Sequence, residues 1–170
     1  FREAGHNVVI NGSSGARLEA AVEKLNAIPG EGRALGFRAS VTESAELQAM
    51  IDFAVSELGS IDLWINNAGV NQPMEAIWEL KESEIDSLIA IDLKGAIMGS
   101  KLAMQQMIKQ GSGAIYNVEG YGSNDAMMLG LNMYGTTKRA VTHFTQALAK
   151  ESEEKQTGIL VGRLSPGIMI

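Results

Sequence analysis

Tyr134 and Lys138, in the stretch "YGTTK", are two titratable residues four apart whose types suit acid–base chemistry. On a helix they share a face, so the lysine ammonium can stand beside the phenol. A phenol with a pKa of about 10 must fall by roughly three units to exchange protons near neutrality, which requires about 4 kcal/mol. One ammonium some 4 Å away in an intermediate dielectric supplies on the order of 4 kcal/mol, so a single lysine has the required size. Such a couple can move a proton to or from the oxygen of a carbonyl or an alcohol. That chemistry also wants a hydroxyl at the end of the preceding strand, and there the chain reads Glu119 and Gly120.

The elements that must carry these residues follow from hydrophobic spacing. Short β-branched or apolar runs at 7–11, 33–39, 61–66, 113–118 and 158–165 read as strands. Between them, 3.6-residue periodicity predicts helices over 16–27, to 58 from an N-cap at Thr42, over 83–110 and over 134–151. In the last of these Ala140, Val141, Phe144, Ala147 and Leu148 are expected to face inward. Apolar residues on more than one side of 95–107 suit a helix packed on both a sheet and another helix, hence an oligomer interface. Strands alternating with helices through short links predict an α/β fold, a doubly wound parallel sheet with helices on both faces, as a single domain over 1–170.

Bulk properties narrow the partners. The 170 residues are 45% hydrophobic and 20% charged, which is globular composition, and a net charge of −6 without basic runs argues against nucleic acid or an anionic membrane. With no cysteine and two isolated histidines, His6 and His143, no metal site is expected. No signal-like or membrane-length apolar run is present, so the cytoplasm is the expected compartment.

In a doubly wound sheet the ligand sits at the carboxyl ends of the strands, and three motifs fall there: "NNAG" (66–69), "YGTTK" (134–138) and "SPG" (165–167). In this order and spacing they resemble the short-chain dehydrogenase/reductase family over essentially all 170 residues. The resemblance implies a Rossmann-like fold and an NAD(P)-dependent oxidoreductase passing hydride between nicotinamide and a small carbonyl or alcohol substrate. Tyr134 would handle the proton, with Lys138 lowering its pKa and holding the nicotinamide ribose. Asn67, Ala68 and Gly69 would line the adenosine half of the cofactor site, and Pro166 and Gly167 would approach the nicotinamide. Asp92, in "IDLKG", stands where the family usually has an asparagine that kinks the long helix and anchors a water leading to the lysine. If ionised, it would offset part of the positive field on Tyr134. Ser40, before Val41, replaces an aspartate that reads the adenine amine. After "NVVI" come Asn11, Gly12, Ser13 and Ser14 with no acid, and Arg17 follows one helical turn on, so NADP(H) is favoured over NAD(H).

The departures matter as well. The family's glycine-rich turn, its first strand and its C-terminal substrate segment have no counterpart here, so the chain reads as a truncated, internal piece, inactive by itself. "NVEGYGS" further resembles the chlorophyll b reductase-like branch and its bacterial relatives. In such a loop Ser123 could swing in as the carbonyl donor, because Gly120 and Gly122 permit an unusual backbone path; otherwise it only caps the loop. Glu119 is expected to accept backbone hydrogen bonds rather than act as a second acid. The Met- and Leu-rich loop 126–133 is either an apolar substrate wall or plain packing. His143 reads as packing or interface. The alternative to an enzyme is a nucleotide-binding pseudoenzyme or scaffold subunit of the same fold, and within catalysis an isomerase or dehydratase.

Overall fold

A computed structural model of the chain describes residues 1–167. Two compact units form, Phe1–Ile61 and the chain from Asp62 onward. In the first, a 3₁₀ turn at Arg2–Ala4 ends on Gly5 (φ 82°), followed by β1 (Val8–Gly12), α1 (Gly15–Asn26), β2 (Ala34–Arg38) and α2 (Ser44–Leu58). β1 and β2 pair in parallel, Val8 opposite Ala34 and Gly12 opposite Arg38. Helix α1 lies close on β2 at Gly36, where a Cβ would come within 2.8 Å of Val22. The Asn26 side chain extends the ladder by bonding both the N–H (2.8 Å) and the C=O (2.9 Å) of Ala34. In α2, Leu47, Met50, Ile51 and Ala54 are buried at the expected spacing. Thr42 does not cap this helix. Its hydroxyl is taken up by Ser40 (2.8 Å) and Glu43 (3.2 Å), and Glu43 stands at the cap position.

The second unit runs β3 (Leu63–Asn66), α3 (Glu82–Leu88), a π-helical turn (Ile89–Gly95), α4 (Ala96–Gln110), β4 (Gly113–Val118), α5 (Asn132–Glu154) and β5 (Ile159–Leu164). β4 is central, parallel to both neighbours, with Asn66 opposite Asn117 and Val118 opposite Leu164. The five strands among the described residues are thus parallel as expected, but they form a two-stranded and a three-stranded sheet. No described ladder joins the two sheets.

Polar residues organise the second unit's core beside Ile115, Met107 and Val141. Asn66 donates to Asn117 Oδ1 (2.7 Å) and Ser100 Oγ (3.0 Å) and accepts from the Trp64 indole (2.8 Å), while Asn117 donates to Thr145 (2.9 Å). Gly99 makes room for this cluster, since a Cβ there would run into Asn66 Oδ1. Every member has a partner, which is what keeps buried amides from being costly. The inward face of α5 differs from the sequence expectation. Thr137, Lys138, Val141, Thr142, Thr145 and Ser152 are buried, whereas Ala147 and His143 are exposed. Threonines are tolerated there because Thr137 and Thr145 donate back to carbonyls of their own helix and Thr142 shares its proton between Lys138 O and Glu119, leaving no hydroxyl orphaned. Among the described residues no helix is long and apolar enough to cross a membrane, and no cluster of metal-ligating side chains forms.

Candidate active site

The long helix does not run straight past the carboxyl ends of the strands. It widens into the π-helical turn Ile89–Gly95, a conformation common at functional sites, and Asp92 lies within it. Asp92 is fully buried. Its Oδ1 accepts the Val70 N–H (2.8 Å), and its Oδ2 lies 3.5 Å from Lys138 Nζ. Oδ2 has no aligned hydrogen-bond donor, so its contact with the equally buried Lys138 is one of charge. Asp92 and Lys138 therefore meet directly. The Lys138 ammonium in turn stands 5.5 Å from the centre of the Tyr134 ring.

Glycines admit this cluster. A Cβ at Gly69 would sit 3.4 Å from both Asp92 Oδ2 and Lys138 Nζ, so the end of "NNAG" passes directly over the ion pair. A Cβ at Gly120 would run into Tyr134 Oη and lie 3.1 Å from Lys138 Cε and Cγ. The strand end reads glycine because the phenol rests on it. A serine could not stand there without displacing the tyrosine.

Ser123 is buried, and its Oγ accepts the Gly120 N–H (3.1 Å) while its own N–H bonds Gly120 O (3.2 Å). It folds the loop back on Gly120, and its hydroxyl proton remains to be donated. Glu119 departs from expectation: its carboxylate accepts from Thr142 Oγ1 and Arg163 Nη1, each at 2.9 Å, rather than from backbone. Side chains from α5 and β5 reach it first, so it ties those elements to the end of β4. Asn67, Ala68 and Gly69, and likewise Pro166 and Gly167 after β5, are exposed backbone. The loop 126–133 carries Met127 and Leu129 almost fully exposed.

The electrostatics differ from the simple expectation of a lysine-depressed phenol. Burial, and then the Asp92 carboxylate, push Tyr134 above the ordinary tyrosine value. Burial likewise raises Asp92, against the opposing pull of the Val70 N–H and the Lys138 charge. Burial is the larger cause for Tyr134; Asp92, beside the lysine whose field was to act on the phenol, adds the offset that an acid at this position implied.

In the first unit, Ser13, Phe37, Arg38, Ser40, Glu46 and Ala49 line an open groove of about 480 Å³. A second groove beside it runs along Gly12, Ser13, Ser14 and Arg17. Arg38, which the sequence reading passed over, donates through Nε to Ser13 O (3.1 Å), leaving its Nη groups unbonded among the described residues. Ser14 stands at the cap of α1 with its hydroxyl unused for capping. Glu46 is occupied by the Ser40 N–H (2.7 Å). Val41 is half-buried just beyond.

Comparison with known proteins shows the family. Over 99% of its length the chain is 34% identical to chlorophyll(ide) b reductase NOL of Oryza sativa subsp. japonica. It is 35% identical to the 3-oxoacyl-[acyl-carrier-protein] reductase FabG of Staphylococcus aureus strain Mu50, again over 99% of this chain and over 66% of that enzyme. The chain spans about half the length of the NOL reductases of Oryza sativa subsp. japonica and Arabidopsis thaliana. Among solved structures, levodione reductase superposes with a TM-score of 0.87 at 24% identity, over 97% of this chain and 63% of that one, a likeness of fold. A short-chain dehydrogenase from Streptomyces avermitilis gives 0.82 at 26% identity, over 98% and 58%. The family of proteins described as short chain dehydrogenase matches residues 1–170. The chain thus belongs to the short-chain dehydrogenase family, and its fold is the Rossmann-like fold of that family.

Proposed function

We propose that the protein carrying this chain is a carbonyl reductase or alcohol dehydrogenase that favours NADP(H), working in the cytoplasm as a homo-oligomer on a small carbonyl or alcohol. The observation that carries the proposal is the Tyr134–Lys138–Asp92 cluster, with the phenol lodged on Gly120 and the "NNAG" backbone over the ion pair. Two of the relatives named above are reductases, which supports the direction of the chemistry.

The residues present fit a nicotinamide cofactor. Lys138 has N–H donors beyond its Asp92 contact, and the absence of a side chain at Gly69 leaves room for a ribose beside it. In the first unit the donors Ser13, Ser14, Arg17 and Arg38 suit a ribose phosphate, and the one carboxylate among the described residues lining these grooves, Glu46, is tied to the Ser40 N–H. When bound, the nicotinamide supplies or takes up the hydride, which balances as carbonyl plus NADPH plus a proton giving alcohol and NADP⁺. Tyr134 Oη donates its proton to the carbonyl oxygen during reduction and takes it back during oxidation. Its pKa lies above the ordinary tyrosine value, so Tyr134 carries its proton before substrate and cofactor bind. Lys138 holds the ribose and stabilises the phenolate left behind, and Asp92 fixes the lysine from below. Ser123 donates its hydroxyl proton to the substrate oxygen while its lone pair holds Gly120.

A panel of carbonyl compounds with NADPH, followed by cofactor oxidation in the natural full-length polypeptide, tests this. Turnover that depends on Tyr134 is expected. Cofactor binding without turnover of any carbonyl would leave only a nucleotide-binding role.

A further inference from the structure

Helix α5 begins with a difficulty. The residue at its N-cap is Leu131, which has no polar atom to accept a first-turn N–H, yet Tyr134 stands in that first turn. Two other side chains take over. Asn132 Oδ1 accepts the Met133 N–H (2.7 Å), and Gln72 Oε1, from the segment after β3, accepts the Tyr134 N–H (2.9 Å). Gln72 is only 4% exposed, and its amide also donates to Asn132 Oδ1 (3.2 Å). The two segments are in backbone contact here: a Cβ at Gly130, itself at φ 80°, would lie 2.9 Å from the Met74 carbonyl carbon. The stretch Gly69–Gln72 therefore touches the whole cluster. Gly69 lies over the ion pair, Val70 holds Asp92, and Gln72 holds the backbone of Tyr134.

We propose that Gln72 is a positioning residue for Tyr134: by capping α5 from another element, it fixes the phenol relative to Gly69 and the Asp92–Lys138 pair. This rests on the oxidoreductase reading for its kinetic consequence, but not for its structural one. A misplacement of a catalytic group by about 1 Å can cost on the order of 100-fold in rate, and of the two side chains that cap this helix only Gln72 binds the backbone of Tyr134.

The test compares Gln72→Met, which keeps volume and loses the acceptor, with Gln72→Glu, which keeps the acceptor. In the full-length polypeptide Gln72→Met should lower kcat by roughly 10- to 100-fold while KM and NADPH affinity stay within about 3-fold, and Gln72→Glu should keep most of kcat. Phenolate absorbance gives a second reading that needs no turnover, with Tyr134→Phe marking which titration belongs to Tyr134. Freed from its buried seat, the phenol of Gln72→Met should titrate lower, back toward the ordinary tyrosine value, with Asp92 and Lys138 still the charges that face it. Unchanged kcat in Gln72→Met, or a Gln72→Glu as slow as Gln72→Met, would overturn the proposal. If the parent protein turns over no carbonyl, the oxidoreductase reading fails and the titration alone decides, an unmoved Tyr134 refuting the positioning role. Should Gln72→Met not fold, Asn132→Ala removes the anchor of the Gln72 amide and is judged by the same outcomes.

Discussion

Replacing Asp92 by asparagine should make Tyr134 more acidic. The carboxylate is 3.5 Å from Lys138 Nζ, which is 5.5 Å from the ring centre, so adding the two separations places it no more than about 9 Å from that centre. At an effective dielectric near 20, a unit charge at about 9 Å contributes roughly 1.8 kcal/mol, or a little over one pKa unit. Asparagine keeps the acceptor for the Val70 N–H and is almost the same size, so Lys138 remains in place but is no longer neutralised. The apparent pKa of Tyr134 should therefore fall by about one unit or more. Phenolate absorbance against pH, with the Tyr134→Phe protein as the blank, reads this directly. The rising limb of the pH–rate profile for alcohol oxidation, where the phenolate is the base, should move to lower pH by the same amount. A Tyr134 titration that stays put, or moves up, in Asp92→Asn would refute the claim that this carboxylate offsets the lysine.

Further outcomes follow from the same contacts. Gly120→Ser, although it writes a hydroxyl at the strand end where the chemistry wants one, should not improve catalysis; its Cβ meets Tyr134 Oη, and turnover should drop with a loss of about 1–3 kcal/mol in denaturant unfolding. Arg38→Gln should weaken NADPH binding by about 10- to 100-fold and leave NADH binding nearly unchanged, as measured by titration calorimetry, because a charge-assisted bond to phosphate is worth roughly 1.5–3 kcal/mol. Asp92 is raised in the folded state, so the stability it contributes is full below the ordinary carboxylate range and is lost as pH rises through its folded value. The unfolding free energy of the parent protein relative to Asp92→Asn should accordingly increase as pH is lowered from 7 toward 4, and a difference independent of pH would contradict the raised value.

Much of this was legible in the residues themselves. β4 has the predicted bounds, and β5 shortens by one residue at each end, because apolar, β-branched runs opened by glycine leave little choice. Tyr134, Lys138 and Asp92 converge as their spacing and motifs implied. Other features depend on tertiary contacts that no local pattern carries. The buried threonines of α5 look like surface positions until their hydroxyls bond back to their own helix. Gln72 is one amide in a polar loop, and its role exists only because Leu131, far along the chain, cannot cap a helix. Arg38 reads as a strand-end charge until β1 and β2 pair and bring it to Ser13. Gly120 is the instructive case. In the sequence it marks a missing serine; in the structure its hydrogen is what the tyrosine hydroxyl rests against.

The most direct test of the account is the pH dependence of NADP⁺-linked alcohol oxidation in the full-length protein and in its Tyr134→Phe variant. The parent should show a rate that rises as Tyr134 ionises, and Tyr134→Phe should lose that limb along with at least about 100-fold of the rate while still binding NADPH. A Tyr134→Phe protein that keeps both the rate and the limb would contradict the assignment of Tyr134 as the acid and base.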